Sequence, residues 1–310
     1  MHTGLKAGLF ATALAAAFGT AYGVGAAMGP VAADAPAPAH AGHTAGKGQA
    51  AETPGGLQVS EGGYTLDLKT PAVAAGAPAE LRFAVRDDRT GRPVTAYRRE
   101  HGKELHFIVA SRDLSVFRHL HPRRAADGTW STPADLPAAG GYRVFADFTP
   151  EGAQEGRTLG ADLAVTGTYR PAELPPPAAT AETDGYRVTL DGTLRPGAPA
   201  ALTLRVTKDG KPVTDLDPYL GAYGHLVALR SGDLAYLHVH PNGEAGDRRT
   251  PAGPEVSFTA TAPSAGTYRL FLDFRHRGTV HTAAFTVRTA GAPGDGAQAA
   301  PGATENGHHH

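Results

Sequence analysis

The stretch Gly140-Gly141-Tyr142-Arg143-Val144-Phe145-Ala146-Asp147-Phe148 returns later in the chain as Gly266-Thr267-Tyr268-Arg269-Leu270-Phe271-Leu272-Asp273-Phe274, with Gly, Tyr, Arg, Phe, Asp and Phe in the same places. Each copy is a short β-prone run opened by glycine, which reads as a strand. Its recurrence reads the chain as a duplication. Working outward, Gly63-Tyr64 recurs as Gly185-Tyr186, Gly76-Ala77-Pro78-Ala79 as Gly197-Ala198-Pro199-Ala200, and Gly91-Arg92-Pro93-Val94-Thr95 as Gly210-Lys211-Pro212-Val213-Thr214. Further β-prone runs stand at Leu81 to Arg86, Leu202 to Val206 and Ala284 to Val287, and no helical periodicity follows the amino-terminal span. Several short strands separated by turn signals in each copy indicate an all-β protein, two tandem immunoglobulin-like β-sandwich domains after an N-terminal transmembrane or signal helix.

The breaks between the repeats are compositional. Ala7–Ala33 carries no charged residue and is long enough to cross a hydrocarbon core of about 30 Å at about 1.5 Å per helical residue. Its length favours an uncleaved anchor over a signal peptide cleaved near Val31-Ala32-Ala33. The expected organisation is a signal-anchor or signal peptide over 1–33, a flexible Ala/Pro/Gly-rich stalk over 34–56 and a first sandwich over 57–168. A Pro-rich linker over 169–184, a second sandwich over 185–289 and a disordered tail over 290–310 complete it.

Composition narrows the chemistry. Lys plus Arg (29) nearly cancels Asp plus Glu (30), so no global field draws nucleic acid. With no cysteine, thiolate sites, disulfides and thiol catalysis are excluded. Methionine occurs only as Met1 and Met28, which rules out a soft Cu(I) site of several thioethers. Fifteen histidines remain, and imidazole suits zinc(II) or copper(II).

Those histidines are patterned. His106, His119, His121 and Pro122 fall at an unchanged offset on His225, His238, His240 and Pro241, and they are the only identities between these segments in an ungapped match. On a strand, residues i and i+2 share a face about 6.6 Å apart, so His119 projects with His121 and His238 with His240. A two-residue hairpin loop at Ser231-Gly232 sets His225 opposite His238, and one at Arg112-Asp113 sets His106 opposite His119. Cross-strand neighbours lie about 4.5 to 5.5 Å apart, so three ring nitrogens can meet one ion at about 2 Å each. Asp147 and Asp273 are either a further ligand or an acceptor that fixes an imidazole tautomer.

A strand histidine also serves simply as partner to a carboxylate, and His-Pro marks a strand end, which is the stronger reading of any single one. The trio in both copies turns the balance towards metal, although duplicated copies share an ancestor. His276 and His281 are read as an ordinary polar hairpin rather than added ligands. Tyr142, Tyr268, Phe145 and Phe271 are read as core residues or a turn-facing tyrosine. Tyr219-Leu220-Gly221-Ala222-Tyr223-Gly224, present only in the second copy, is read as a loop shielding the second site. No phosphate loop, nucleophile elbow or paired carboxylates appear at motif spacing, so no enzyme is expected. A copper redox enzyme is the remaining catalytic alternative.

The stretches Leu105-His106-Phe107-Ile108-Val109 through His119-Leu120-His121-Pro122, and Pro218-Tyr219-Leu220-Gly221-Ala222-Tyr223-Gly224-His225 through Leu237-His238-Val239-His240-Pro241, carry a resemblance. They resemble high-GC bacterial membrane-anchored or secreted proteins of unassigned function with tandem His-x-His-Pro β-domains. The first repeat is also similar to YtkA-like domains, and both resemble in architecture the CopC-like copper carriers of the bacterial periplasm. The resemblance implies an extracytoplasmic β-sandwich with copper or another heavy metal as ligand. It departs from the CopC-like pattern in having no ligand histidine at a mature amino terminus.

The expectation is therefore an extracytoplasmic protein, anchored to the cell membrane by its N-terminal helix or else secreted, that sequesters, buffers or transfers copper(II) or zinc(II). Its partners are the metal ion and a metal transporter or other envelope protein, and no nucleic acid. The competing expectation is an immunoglobulin-like protein-protein interaction module with structural histidines and no metal. Because protonated imidazole cannot ligate, metal binding is expected to weaken as pH falls through about 6 to 6.5.

Overall fold

Continuous apolar runs such as Phe107-Ile108-Val109-Ala110, without polar alternation, belong to strands covered on both faces. The computed structural model describes residues 53–291, except His238 and the side chain of His240. The Ala7–Ala33 span and the tail histidines lie outside the described residues, among which there is no helix long and apolar enough to cross a membrane.

The first repeat contains β1 (Ser60–Glu61), β2 (Tyr64–Leu68), β3 (Ala72–Ala74), β4 (Pro78–Asp87), β5 (Tyr97–Arg98), β6 (Leu105–Ser111), β7 (Phe117–Leu120), β8 (Arg123–Arg124), β9 (Trp130–Asp135), β10 (Gly140–Pro150) and β11 (Arg157–Thr166). The second contains β12 (Thr180–Thr183), β13 (Tyr186–Asp191), β14 (Pro199–Lys208), β15 (Lys211–Pro212), β16 (His225–Arg230), β17 (Tyr236–Leu237), β18 (Val239–Pro241), β19 (Glu255–Thr261), β20 (Thr267–His276) and β21 (Thr279–Arg288). Each repeat is a sandwich of two sheets. In the first, β1-β2-β4-β9-β8 faces β3-β11-β10-β6-β7, with β5 added to β10. In the second, β12-β13-β14-β19-β18 faces β17-β16-β20-β21, with β15 added to β14. The immunoglobulin-like all-β architecture is the one the sequence leads to. Strand β12 falls inside the stretch read as linker.

One core fills each sandwich. Phe83, Phe107, Val109, Trp130 and Val144 belong to the first, and Leu204, Leu226, Ala228, Phe258 and Phe285 to the second. The tyrosine of the quoted stretch plays the same part twice: buried Tyr142 donates to the Ala138 carbonyl at 2.7 Å and buried Tyr268 to the Ser264 carbonyl at 2.8 Å. Each hydroxyl ties its strand to the turn four residues upstream, as in a tyrosine corner.

A third core joins the two repeats. Ile108, Ala110, Phe117 and Phe145 alternate with the first sandwich's interior residues and point the other way, where they meet Val227, Leu229, Tyr236 and Phe271 of the second. Phe145 and Phe271 are core residues as read, and the core they belong to is this one between the sandwiches. The contact is reciprocal, because Phe117 stacks on Phe271 while its counterpart Tyr236 meets Phe145. Such exchange of equivalent pairs is the pattern of a two-fold interface, here made within one chain.

Candidate metal centre

Strand parity aims the polar residues at that seam. His106 shares a face with Ile108, His119 with Phe117, Asp147 with Phe145, His225 with Val227 and Asp273 with Phe271, because residues two apart on a strand point the same way. Across strands, His106 stands opposite Asp147 and His225 opposite Asp273.

The hairpin register differs from the expected one. His119 pairs with Ile108 rather than His106, and Ala228 pairs with Leu237, each a shift of two residues. The cause is a four-residue loop in place of two. Ser111 N donates to the Val116 carbonyl at 2.9 Å and Arg230 N to the Ala235 carbonyl at 2.9 Å. Inside each loop a leucine at positive φ, Leu114 (58°) and Leu234 (62°), is driven into the seam. An even shift preserves the face, so the imidazoles of the first repeat still converge. After Leu120 the chain crosses from the sheet of β6 to the sheet of β9, and His121 lies on that crossing.

The ring nitrogens of His106, His119 and His121 offer ligand atoms that all lie within 4.8 Å of one another. Their ring centres are 5.3 Å (His106 to His119), 5.5 Å (His106 to His121) and 4.8 Å (His119 to His121) apart. Imidazoles sharing one tetrahedral ion at about 2.0 to 2.1 Å have ring centres about 5 Å apart. The spacing fits a shared ion.

Hydrogen-bond partners fix which nitrogens are bare, since carboxylates and carbonyls only accept. His119 Nδ1 donates to Asp273 Oδ2 at 2.9 Å, and His106 Nε2 donates to the Glu100 carbonyl at 3.3 Å. That leaves His119 Nε2 and His106 Nδ1 facing each other at 3.1 Å. With both in the neutral form, two lone pairs meet with no hydrogen between them. His121 Nε2 is buried and has no hydrogen-bond partner among the described residues. An ion at about 2.0 to 2.1 Å from cis nitrogens spaces them by about 2.9 to 3.4 Å, so the observed gap accommodates one.

Electrostatics keep His106, His121 and His225 neutral. Burial, reinforced by the His119, His121 and His225 imidazoles, pushes His106 down to about 2. Burial, then His119, Lys103 and His225, pushes His121 down to about 3. His225 falls to about 4, burial again being the largest cause.

The second repeat contributes to this same place. His225 was expected to form a separate site with His238 and His240, whose side chains lie outside the described residues; its ring lies 6.3 Å from His106 and 6.2 Å from His119. Its Nε2 donates to the Tyr219 carbonyl at 2.9 Å, six residues upstream, as His106 does to Glu100. Both counterparts therefore present a bare Nδ1. Tyr219 belongs to the loop read as a shield for the second site; its ring lies 5.7 Å from His225 and 6.1 Å from His121. Asp273 takes the role of acceptor, with Thr282 Oγ1 donating to its other oxygen at 2.6 Å. Asp147 is held likewise by Thr158 at 3.0 Å. His238 and the side chain of His240 lie outside the described residues, although the His240 backbone pairs with Thr259.

His101 escaped sequence reasoning. Its ring lies 5.1 Å from His225 and 6.2 Å from His106, and its place five residues before His106 was the available signal. His276 and His281 form no ligand cluster with the trio. His276 is engaged at both nitrogens, by Tyr186 at 2.7 Å and Asp215 at 3.1 Å, and His281 meets Asp184 at 2.7 Å, in keeping with a polar hairpin.

Comparison with known proteins begins with a family model described as Domain of unknown function (DUF8832), which matches residues 58–165 and again 181–291. It is neither a YtkA-like nor a CopC-like model, so a copper ligand gains no support from kinship. No curated protein matches the chain. Among solved structures the chain is similar to FdeC, an adhesin of Escherichia coli, at 17% identity over 75% of this chain and 65% of that one, with a TM-score of 0.25. The D0-D1 domain of intimin is 11% identical over 72% and 96%, with a TM-score of 0.22. InvD of Yersinia pseudotuberculosis is 11% identical over 78% and 62%, with a TM-score of 0.25. The chain thus spans less than two thirds of FdeC and of InvD.

Proposed function

The chain belongs to the Domain of unknown function (DUF8832) family through both repeats, and we propose that this member binds one transition-metal ion, zinc(II) or copper(II), through His106, His119 and His121. The observation that carries the reading is the pair of facing nitrogens, His106 Nδ1 and His119 Nε2 at 3.1 Å, beside the orphaned His121 Nε2. Without an ion, the neutral rings meet there lone pair to lone pair, and His121 Nε2 has no partner among the described residues. One ion satisfies all three. Nitrogen donors without sulfur favour zinc(II) or copper(II) over Cu(I). Three ligands leave a fourth position for water or an exchanging donor, which suits buffering or transfer better than permanent structural use. We place the protein outside the cytoplasm, held by the Ala7–Ala33 span, with an envelope protein such as a metal transporter receiving the ion.

The second reading is an interaction module without metal. Sandwiches of adhesins such as FdeC and intimin are among the solved structures to which the chain is similar. At those TM-scores the likeness carries no argument for function. Calorimetric titration of zinc(II) and copper(II) into wild type and the double variant His119→Ala, His121→Ala separates the two. Binding lost in the variant supports the centre, and equal binding in both favours the module.

A further inference from the structure

The residue that orients His119 comes from the other repeat. Asp273 lies on β20 of the second sandwich, is buried to 3% exposure, and accepts from His119 Nδ1 at 2.9 Å while Thr282 holds its second oxygen at 2.6 Å. Two residues away on each strand, Phe271 and Phe117 stack across the seam at 4.0 Å, so the aromatic contact delivers carboxylate and imidazole to each other. Tyr219 and His225, also from the second repeat, wall the same space. A carboxylate behind a ligating imidazole fixes the tautomer and raises its basicity.

We propose that the second repeat completes the first repeat's metal centre: Asp273 is a positioning residue that holds His119 with Nε2 bare, so that metal occupancy and docking of the two sandwiches strengthen each other. The inference rests on the metal reading above and adds its regulation. Reciprocity follows from linkage: whatever factor docking adds to metal affinity, the bound metal returns to docking. The duplication then has a use, since a single repeat lacks the carboxylate that orients its own His119.

The test uses the full chain with His308, His309 and His310 changed to alanine in every variant, and zinc(II) and copper(II) as probes. Asp273→Asn is expected to raise the metal Kd by about 10- to 100-fold. In the metal-free protein, ring nitrogen chemical shifts of His119 should pass from one tautomer to a mixture, which a merely structural loss does not produce. Metal should slow amide exchange at Val227 and Leu229, in the second repeat, only while His106, His119 and His121 are intact. If Asp273→Asn fails to fold, Thr282→Val leaves the carboxylate in place but frees its second oxygen, and is expected to raise Kd several-fold. A Kd within threefold of wild type with the His119 tautomer unchanged, or metal protection confined to the first repeat, overturns the inference and leaves the trio standing. No binding by the unsubstituted centre overturns the metal reading, and the inference with it.

Discussion

Phe117 of the first repeat lies flat against Phe271 of the second, ring centres 4.0 Å apart and planes 6° from parallel. The reciprocal contact between Tyr236 and Phe145 closes at 5.6 Å. Together with Leu114 and Leu234 these rings form a buried core between the sandwiches, which sets the histidines of one repeat against the carboxylate of the other.

Phe117→Ala empties a stacked position within that core. Losses for buried Phe→Ala substitutions run at about 3 to 5 kcal/mol, and the partly exposed edge of Phe117 places this one near about 3. Urea unfolding of the metal-free protein measures it. A change below about 1 kcal/mol means that the seam contributes little to stability.

Acid should destabilise the metal-free fold earlier than carboxylate chemistry alone predicts. His106, His121 and His225 have folded values of about 2, 3 and 4 against an ordinary 6.5. Below 6.5 the unfolded chain takes up protons that the folded chain refuses, so stability is whole above that pH. It then falls with acidification by up to about 1.4 kcal/mol per pH unit for each ring, ending first for His225 near 4. Urea midpoints at pH 7.5, 6 and 5 read the slope, and a flat series contradicts the buried neutral imidazoles.

The same depression revises the expected pH dependence of metal binding. Two of the proposed ligands, His106 and His121, are already bare at pH 5 in the folded protein. Two ordinary imidazoles would each lose about 1.5 log units of affinity between neutral pH and pH 5, so the folded centre should lose about 3 log units less than three unburied rings. Competition titrations at pH 7 and 5 check this. A loss as steep as that of a flexible histidine peptide contradicts it.

Tyr142→Phe and Tyr268→Phe each remove one hydroxyl bond to an upstream carbonyl. Each should cost about 1 kcal/mol and leave metal affinity unchanged, because neither ring touches the trio. Denaturation and titration of the two variants decide it, and a shift in metal Kd for either contradicts the separation of corner and centre.

The duplicated strand and its tyrosine were legible because a repeat and a two-residue period are written directly in the sequence, whereas His121 lies past the end of β7 and reaches His119 from the crossing rather than as an i, i+2 strand neighbour. Convergence of the first trio survived a wrong register because the slip was even. The slip itself was hidden, since Leu114 and Leu234 occupy positive φ, where a turn residue is expected, and only the seam's apolar contacts hold them there. The meeting of the repeats left a signal that went unused. Strand β6 is buried along its whole length, and its apolar run Phe107-Ile108-Val109-Ala110 marks a sheet covered on both sides. Which surface covers it is tertiary information, and so the assignment of Asp273 and His225 to the first repeat's histidines could not be read from spacing.

Anomalous diffraction at the zinc edge, from crystals of residues 53–291 grown with equimolar zinc(II), tests the central claim most directly. The account predicts a peak between His106 Nδ1, His119 Nε2 and His121 Nε2, at about 2.0 to 2.1 Å from each. Zinc bound elsewhere, with His106 and His119 sharing a proton and no peak between them, contradicts it.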